Sequence, residues 1–131
     1  MQWELTPLNV PRTRAFVGGS SNVERELALV VGSGGVALHI EREQCAVSVV
    51  QGSPDLSAGA VDVLDREWVA SLGTLWTRDS RSGQAFVPAW KDAAFQAPFV
   101  SLMADAGLIL AMSADGGIVE GRRSVATERK K

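Results

Sequence analysis

Residues 62–78 read DVLDREWVASLGTLWTR, and their spacing decides which class of fold the sequence predicts. Leu64, Trp68, Val69, Leu72, Leu75 and Trp76 recur at intervals of three and four, the spacing that lines one face of an α-helix. Asp62 or Asp65 stands at the start, where a helix N-terminus favours negative charge, and Arg78 stands just past the end. Gly73 costs such a helix about 1 kcal/mol against alanine. The stretch therefore predicts an amphipathic helix whose apolar stripe lies across a sheet.

The residues on the N-terminal side supply that sheet. Val36, Leu38 and Ile40 alternate with Ala37, His39 and Glu41, and Cys45, Val47 and Val49 alternate with Ala46, Ser48 and Val50. A period of two is the mark of a strand with one covered face. With Glu41 to Gln44 as the polar connection, residues 36–51 predict an antiparallel hairpin that buries the Cys45 thiol and exposes His39. Residues 23–31 carry two signals. Ser21 with Glu24 resembles a capping box and Val23, Leu27, Val30 and Val31 fit helical spacing. The β-branched ending and the following Gly32-Ser33-Gly34-Gly35 favour a strand entering a turn. Residues 1–22, rich in Pro, Gly and Ser, predict extended chain with a short strand at 15–17.

Downstream, residues 84–87 predict a short strand cut off by Pro88. Pro98 would open a short helix over 98–106 with Phe99, Leu102, Met103 and Ala106 on one face, ended by Gly107. Residues 108–113 and 118–121 predict two strands joined through Asp115-Gly116, a strong hairpin turn. The expected fold is α+β: a mostly antiparallel sheet with one or two helices packed on one face. Residues 1–121 would form a single globular domain, and residues 122–131 a flexible basic C-terminal tail.

Composition narrows the function. The chain has 131 residues, 46% of them apolar, with four Trp, four Phe and no Tyr. That suits one ordinary globular domain able to bury a core without a metal or disulfide. Cys45 is the single cysteine, so an internal disulfide and a thiolate metal cluster are both excluded. The start, Met1-Gln2-Trp3-Glu4, lacks a signal-peptide pattern, and the apolar run from Phe99 to Met112 is broken by Asp105 and is too short to span a bilayer. A cytoplasmic protein with no membrane partner is expected. Residues 1–120 carry 8 basic and 14 acidic side chains, a balance of −6, while residues 121–131 carry 5 basic and 1 acidic, a balance of +4. An acidic body argues against nucleic acid as the main partner.

Four features carry candidate chemistry. Gly32-Ser33-Gly34-Gly35-Val36-Ala37 fits a loose dinucleotide-binding fingerprint, but the residues that follow alternate like a strand where that motif needs a helix. His39 is the only histidine, which leaves no metal set, and its strand parity places it opposite Leu38 and away from Cys45. Asp55, Asp62, Asp65 and Glu67 cluster along the chain without the spacing of a calcium loop. Among the tryptophans, Trp68 and Trp76 belong to the helical stripe, whereas Trp90 lies in polar, turn-rich sequence suited to an exposed contact.

These readings converge on a non-enzymatic protein-binding protein, such as an inhibitor, immunity-type antidote, chaperone or adaptor. It would dock Asp55, Asp62, Asp65, Glu67 and Trp90 onto a partner with a basic surface. The alternative is a small-ligand sensor module with an apolar pocket under residues 98–120. An enzyme using Asp62, Asp65 or Asp79 as acid or base ranks third. No cofactor and no metal are expected, and an unpaired edge strand leaves room for a homo-oligomer.

Overall fold

The computed structural model of the protein describes residues 16–22, 27–41, 44–62, 64, 66–79, 84–105 and 107–122. These residues form strands throughout, with one three-residue 3-10 turn at Ser33–Gly35. The α+β expectation is therefore corrected: among the described residues there is no α-helix, and both predicted helices are strands.

The first sheet is a meander of β1 (Phe16–Asn22), β2 (Leu27–Gly32), β3 (Val36–Glu41) and β4 (Gln44–Val49). The second repeats it with β5 (Leu56–Val61), β6 (Arg66–Ser71), β7 (Thr74–Asp79) and β8 (Val87–Lys91). The third has β9 (Phe99–Ala104), β10 (Leu108–Ser113) and β11 (Ile118–Arg122). Every neighbouring pair is antiparallel. Contacts between sheets concentrate on the first strands, β1 and β2 against β5, and β5 and β6 against β9. Successive four-stranded meanders whose first strands meet near a common axis are the arrangement of β-propeller blades. The described residues form two four-stranded blades and one three-stranded blade in this arrangement.

Gly73 shows why the helical reading fails. Leu72-Gly73 is the turn between β6 and β7, and Gly73 takes φ 71°, a left-handed conformation natural to glycine. Around it Val69 pairs with Trp76 and Trp68 with Thr77. The second sheet is sandwiched, so both of its faces are buried and its strands lose the alternation that marks a half-exposed strand. Val69 joins the core shared with the first sheet, which includes Leu27, Leu29, Val31, Val50, Leu56 and Phe86. Trp68 and Leu75 join the other core, built on Phe99, Leu102, Ile109 and Ala111. Leu64 and Leu72, assigned to the helical stripe, are exposed. The two cores approach each other closely through Gly59, where an added Cβ would fall 3.0 Å from Val31 Cγ1.

Strand β9 mimics a helix for a different reason. Phe99 and Leu102 are both buried although three residues apart, because the register shifts within the β9–β10 pair and Val100 is left over. The predicted strand at 84–87 is found three residues later as β8, which holds Pro88 on the edge of its sheet, where a missing N–H is tolerated.

The hairpin over 36–51 is present as β3 and β4, and on β3 both faces are covered, Val36 and Leu38 being buried as well as Ala37. Residues paired across strands share a face, so Leu29, His39 and Ala46 lie together. That face packs on the second sheet. Val47 and Val49 point the other way and are exposed, as is the Cys45 thiol, while His39 is half-buried. The expectations of a buried thiol and an exposed histidine are both reversed.

Candidate binding groove between the second and third sheets

Of the five residues expected to form one docking surface, the four that are described do not share one surface. Asp55 is exposed in the β4–β5 connection, and its Oδ1 accepts a 2.7 Å hydrogen bond from the Gly34 backbone N–H. Glu67 is wholly buried between the first and second sheets. Its Oε1 accepts from Arg78 Nε at 2.7 Å, and its Oε2 accepts from His39 Nδ1. Asp62 is buried on the other side of the second sheet, where Oδ1 accepts from the Leu64 and Arg66 N–H groups at 2.9 Å each and Oδ2 from the Trp68 indole at 3.3 Å. Trp90 is half-buried, edge-on to Phe95 and Phe99 with centroids 5.6 and 6.1 Å apart. Asp65 lies outside the described residues. Only Asp62 and Trp90 are brought together, at the wedge between the second and third sheets.

That wedge is a groove of about 830 Å³. Its floor is the apolar outer half of the second sheet, Trp68, Leu75 and Trp90, and its opposite wall is β11 from Val119 to Arg122. Strand counts explain it. The second sheet has four strands and the third has three among the described residues, so the outermost strand of the second sheet faces no strand across the gap. Among the described residues β11 also stands at the edge of its sheet, and an edge strand presents a row of amide groups.

The rim is acidic. Asp62, Asp79, Asp105 and Glu120 contribute carboxylates against the guanidinium groups of Arg66 and Arg122. Arg122 pairs with Glu120, and Arg66 Nη1 reaches Thr77 Oγ1 at 3.4 Å. Asp105 Oδ1 accepts from the Gly107 and Leu108 N–H groups at 3.0 Å each, closing the β9–β10 turn. Asp62, offered as an acid or base, spends both oxygens on the β5–β6 loop and on Trp68. Among the described residues, no group of three His, Cys, Asp or Glu side chains is placed to hold a metal ion. The glycine-rich run forms the β2–β3 turn and leads into a strand, so it lacks the helix N-terminus that would receive a pyrophosphate. What the groove offers is apolar floor, negative rim and strand edge: the means of binding.

Sequence reasoning passed over Arg66 and Glu120 at the rim and the grouping of Glu67 with Arg78 and His39, and it named Asp79 as a candidate acid or base only. A signal for the first group was present. Reading outward from Leu72-Gly73, Arg66 meets Asp79 and Glu67 meets Arg78, two opposite-charge cross-strand pairs of the kind that stabilise a hairpin.

No protein-family model matches the chain, and no curated protein matches it at a significant level. Among solved structures, the crystal structure of the computationally designed Ika4 protein superposes with a TM-score of 0.52 at 12% identity, over 95% of this chain and 100% of that one. At that identity the likeness concerns the fold alone. Among the described residues, no helix is long and apolar enough to cross a membrane.

Proposed function

We propose that the protein is a non-enzymatic binding module that takes an extended segment of a partner protein into the groove between its second and third sheets. The carrying observation is the edge position of β11 among the described strands, beside an apolar floor that no described strand covers. An added strand gains affinity from main-chain hydrogen bonds and specificity from alternate side chains. Here one set of side chains would meet Trp68, Leu75 and Trp90, and basic groups on the segment would meet Asp79, Asp105 and Glu120. Trp90 is the natural anchor, since aromatic residues in partly enclosed pockets dominate binding energies. Inhibitors, antidotes, chaperones and adaptors all work through such contacts, and the acidic rim selects a basic partner.

A second reading, a small-ligand sensor, is favoured by the groove's volume of about 830 Å³, which falls within the usual span of ligand pockets.

Selection from a library of extended peptides decides between them. Selected peptides should combine apolar and basic residues. N-methylation of alternate peptide bonds should abolish binding, and Glu120→Lys should weaken it at least about tenfold, the effect of losing roughly 1.4 kcal/mol. A library that returns no binder, or peptides indifferent to both changes, would sink the proposal. Saturable binding of a small metabolite that Glu120→Lys weakens would favour the second reading.

A further inference from the structure

We infer that Asp115-Gly116, at the tip of the β10–β11 hairpin, is a latent site of isoaspartate formation that the Ser113 hydroxyl keeps closed in the folded chain. The change is one of the chain itself and does not rest on the groove.

An aspartate followed by glycine rearranges without a co-reactant. The glycine backbone nitrogen attacks the aspartate Cγ and a C–N bond forms. The carboxyl hydroxyl leaves as water with the proton of that nitrogen, and a cyclic imide results. Water then opens the imide at either carbonyl. Opening at the former backbone carbonyl leaves the main chain running through Cβ and Cγ, with the old backbone carbonyl carbon now a free carboxylate. One water leaves and one returns, so the chain keeps its mass. Glycine favours the attack because no Cβ shields its nitrogen and its backbone is free to reach the required conformation. Asp115-Gly116 is the single Asp-Gly of the sequence, which contains no Asn-Gly.

Attack needs a nitrogen free of other bonds, a protonated carboxyl whose hydroxyl can leave, and a side chain free to turn onto the nitrogen. The turn withholds all of these. The Gly116 N–H donates to the Ser113 carbonyl at 3.1 Å. Asp115 Oδ1 accepts from the Ser113 hydroxyl and from the Gly117 N–H at 3.3 Å. Those bonds fix the carboxyl's direction and, with the Ser113 hydroxyl as the larger cause, favour its ionised form. Ser113 is itself held in place. It is buried, its Oγ accepts from the Gly117 N–H at 2.9 Å, and its own N–H donates to the Gly117 carbonyl at 2.9 Å. There is little slack around it: a Cβ on Gly117 would fall 2.9 Å from Ser113 Oγ and 3.2 Å from Phe95 Cζ. Asp115 and Gly116 are both exposed, so burial does not protect them and the hydrogen bonds do.

Rearrangement would lengthen the main chain by one methylene inside a turn whose closing bonds join Ser113 to Gly117. The pairing of Met112 with Ile118 starts directly beyond that turn, so the added atom would displace the start of β11.

The test is incubation of the full chain at neutral pH and body temperature. Isoaspartate is read by enzymatic methyl transfer from labelled S-adenosylmethionine and located by peptide fragmentation, with circular dichroism confirming the fold. Folded wild type should take up label slowly. Folded Ser113→Ala and wild type unfolded in urea should each take it up at least about tenfold faster, the scale of losing one hydrogen bond to a charged group. Ser113→Thr, which keeps the hydroxyl, should stay as slow as wild type, and Asp115→Ser should lose the label at this position. If Ser113→Ala loses the sheet spectrum, Ser113→Cys, close in size and a weaker donor, replaces it with the same expected direction. Folded wild type labelled as fast as the unfolded chain would overturn the inference. So would a folded Ser113→Ala or Ser113→Cys as slow as wild type, or label that falls mainly at another residue.

Discussion

Removing the Glu67 carboxylate should destabilise the fold by about 3 kcal/mol, at the low end of what is lost when one member of a buried ion pair is deleted. Glu67 has no solvent exposure and stands between Arg78 on its own sheet and His39 on the first sheet. Glu67→Ala would leave a guanidinium that is only 12% exposed without its anion. Two features keep the cost from the upper end. The Arg78 guanidinium carbon lies 4.1 Å above the Phe86 ring, which retains a cation–π contact. His39 also has Glu41 Oε1 3.3 Å from its Nε2. Against a domain stability of about 5–15 kcal/mol, a loss of this size lowers the melting temperature by roughly 10 °C. Urea unfolding at fixed protein concentration measures it, with an unchanged slope showing that the unfolded state is unaffected. The companion variant is Glu67→Leu with Arg78→Met, which removes the whole pair and should recover most of the loss, because well-packed apolar replacements of buried ion pairs are often neutral. A Glu67→Ala cost below about 1 kcal/mol, the behaviour of a surface pair, would refute the reasoning. So would a double variant as unstable as the single one.

Two further predictions probe the turns. Gly73→Ala separates a helix from a hairpin by its sign: in a helix it would stabilise by about 1 kcal/mol, whereas at φ 71°, with the new Cβ 2.8 Å from the Asp92 carbonyl oxygen, it should destabilise. The cost should be about 1–3 kcal/mol by thermal or urea unfolding. In the β10–β11 turn, the Ser113 hydroxyl and then the Gly117 N–H hold the Asp115 carboxyl below its ordinary value of 3.8. The sign follows: a depressed folded-state value contributes stability above the unfolded value, and that contribution is lost as pH falls through the folded one. An NMR titration should find the Asp115 midpoint below 3.8 in the wild type and higher in Ser113→Ala.

How much of the fold was legible depended on where each strand sits. Strands 36–41, 45–49, 108–113 and 118–121 were readable because they belong to the outer sheets, where one face is apolar by design of the pairing and the turns carry their own chemistry in Asp115-Gly116 and the glycine run. The strand reading of residues 23–31 agrees with β2 over 27–31, residues 23–26 lying outside the described ones. Residues 62–78 were not readable, since a sheet buried on both faces offers consecutive apolar residues that a helical stripe fits equally well. Residues 98–106 were misread because a bulge set Phe99 and Leu102 three apart on one face. Asp62 and Trp90 do line the groove, but acidity and turn-rich context pointed equally to Asp55 and Glu67, which lie elsewhere.

By itself the sequence determined the strands and turns of the 36–51 and 108–121 hairpins, because alternation and turn chemistry within about fifteen residues specify them. It also determined the acidic balance of the body and the lack of a cysteine or histidine set for metal chemistry. Tertiary structure alone decided which face of each sheet is covered. The second sheet stands between two others, the first sheet turns its His39 face inward and its Val47 face outward, and among the described residues the third sheet ends at β11 with three strands. Each of these depends on contacts between elements far apart in the chain, and burial, unlike periodicity, is a property of the neighbour as much as of the strand.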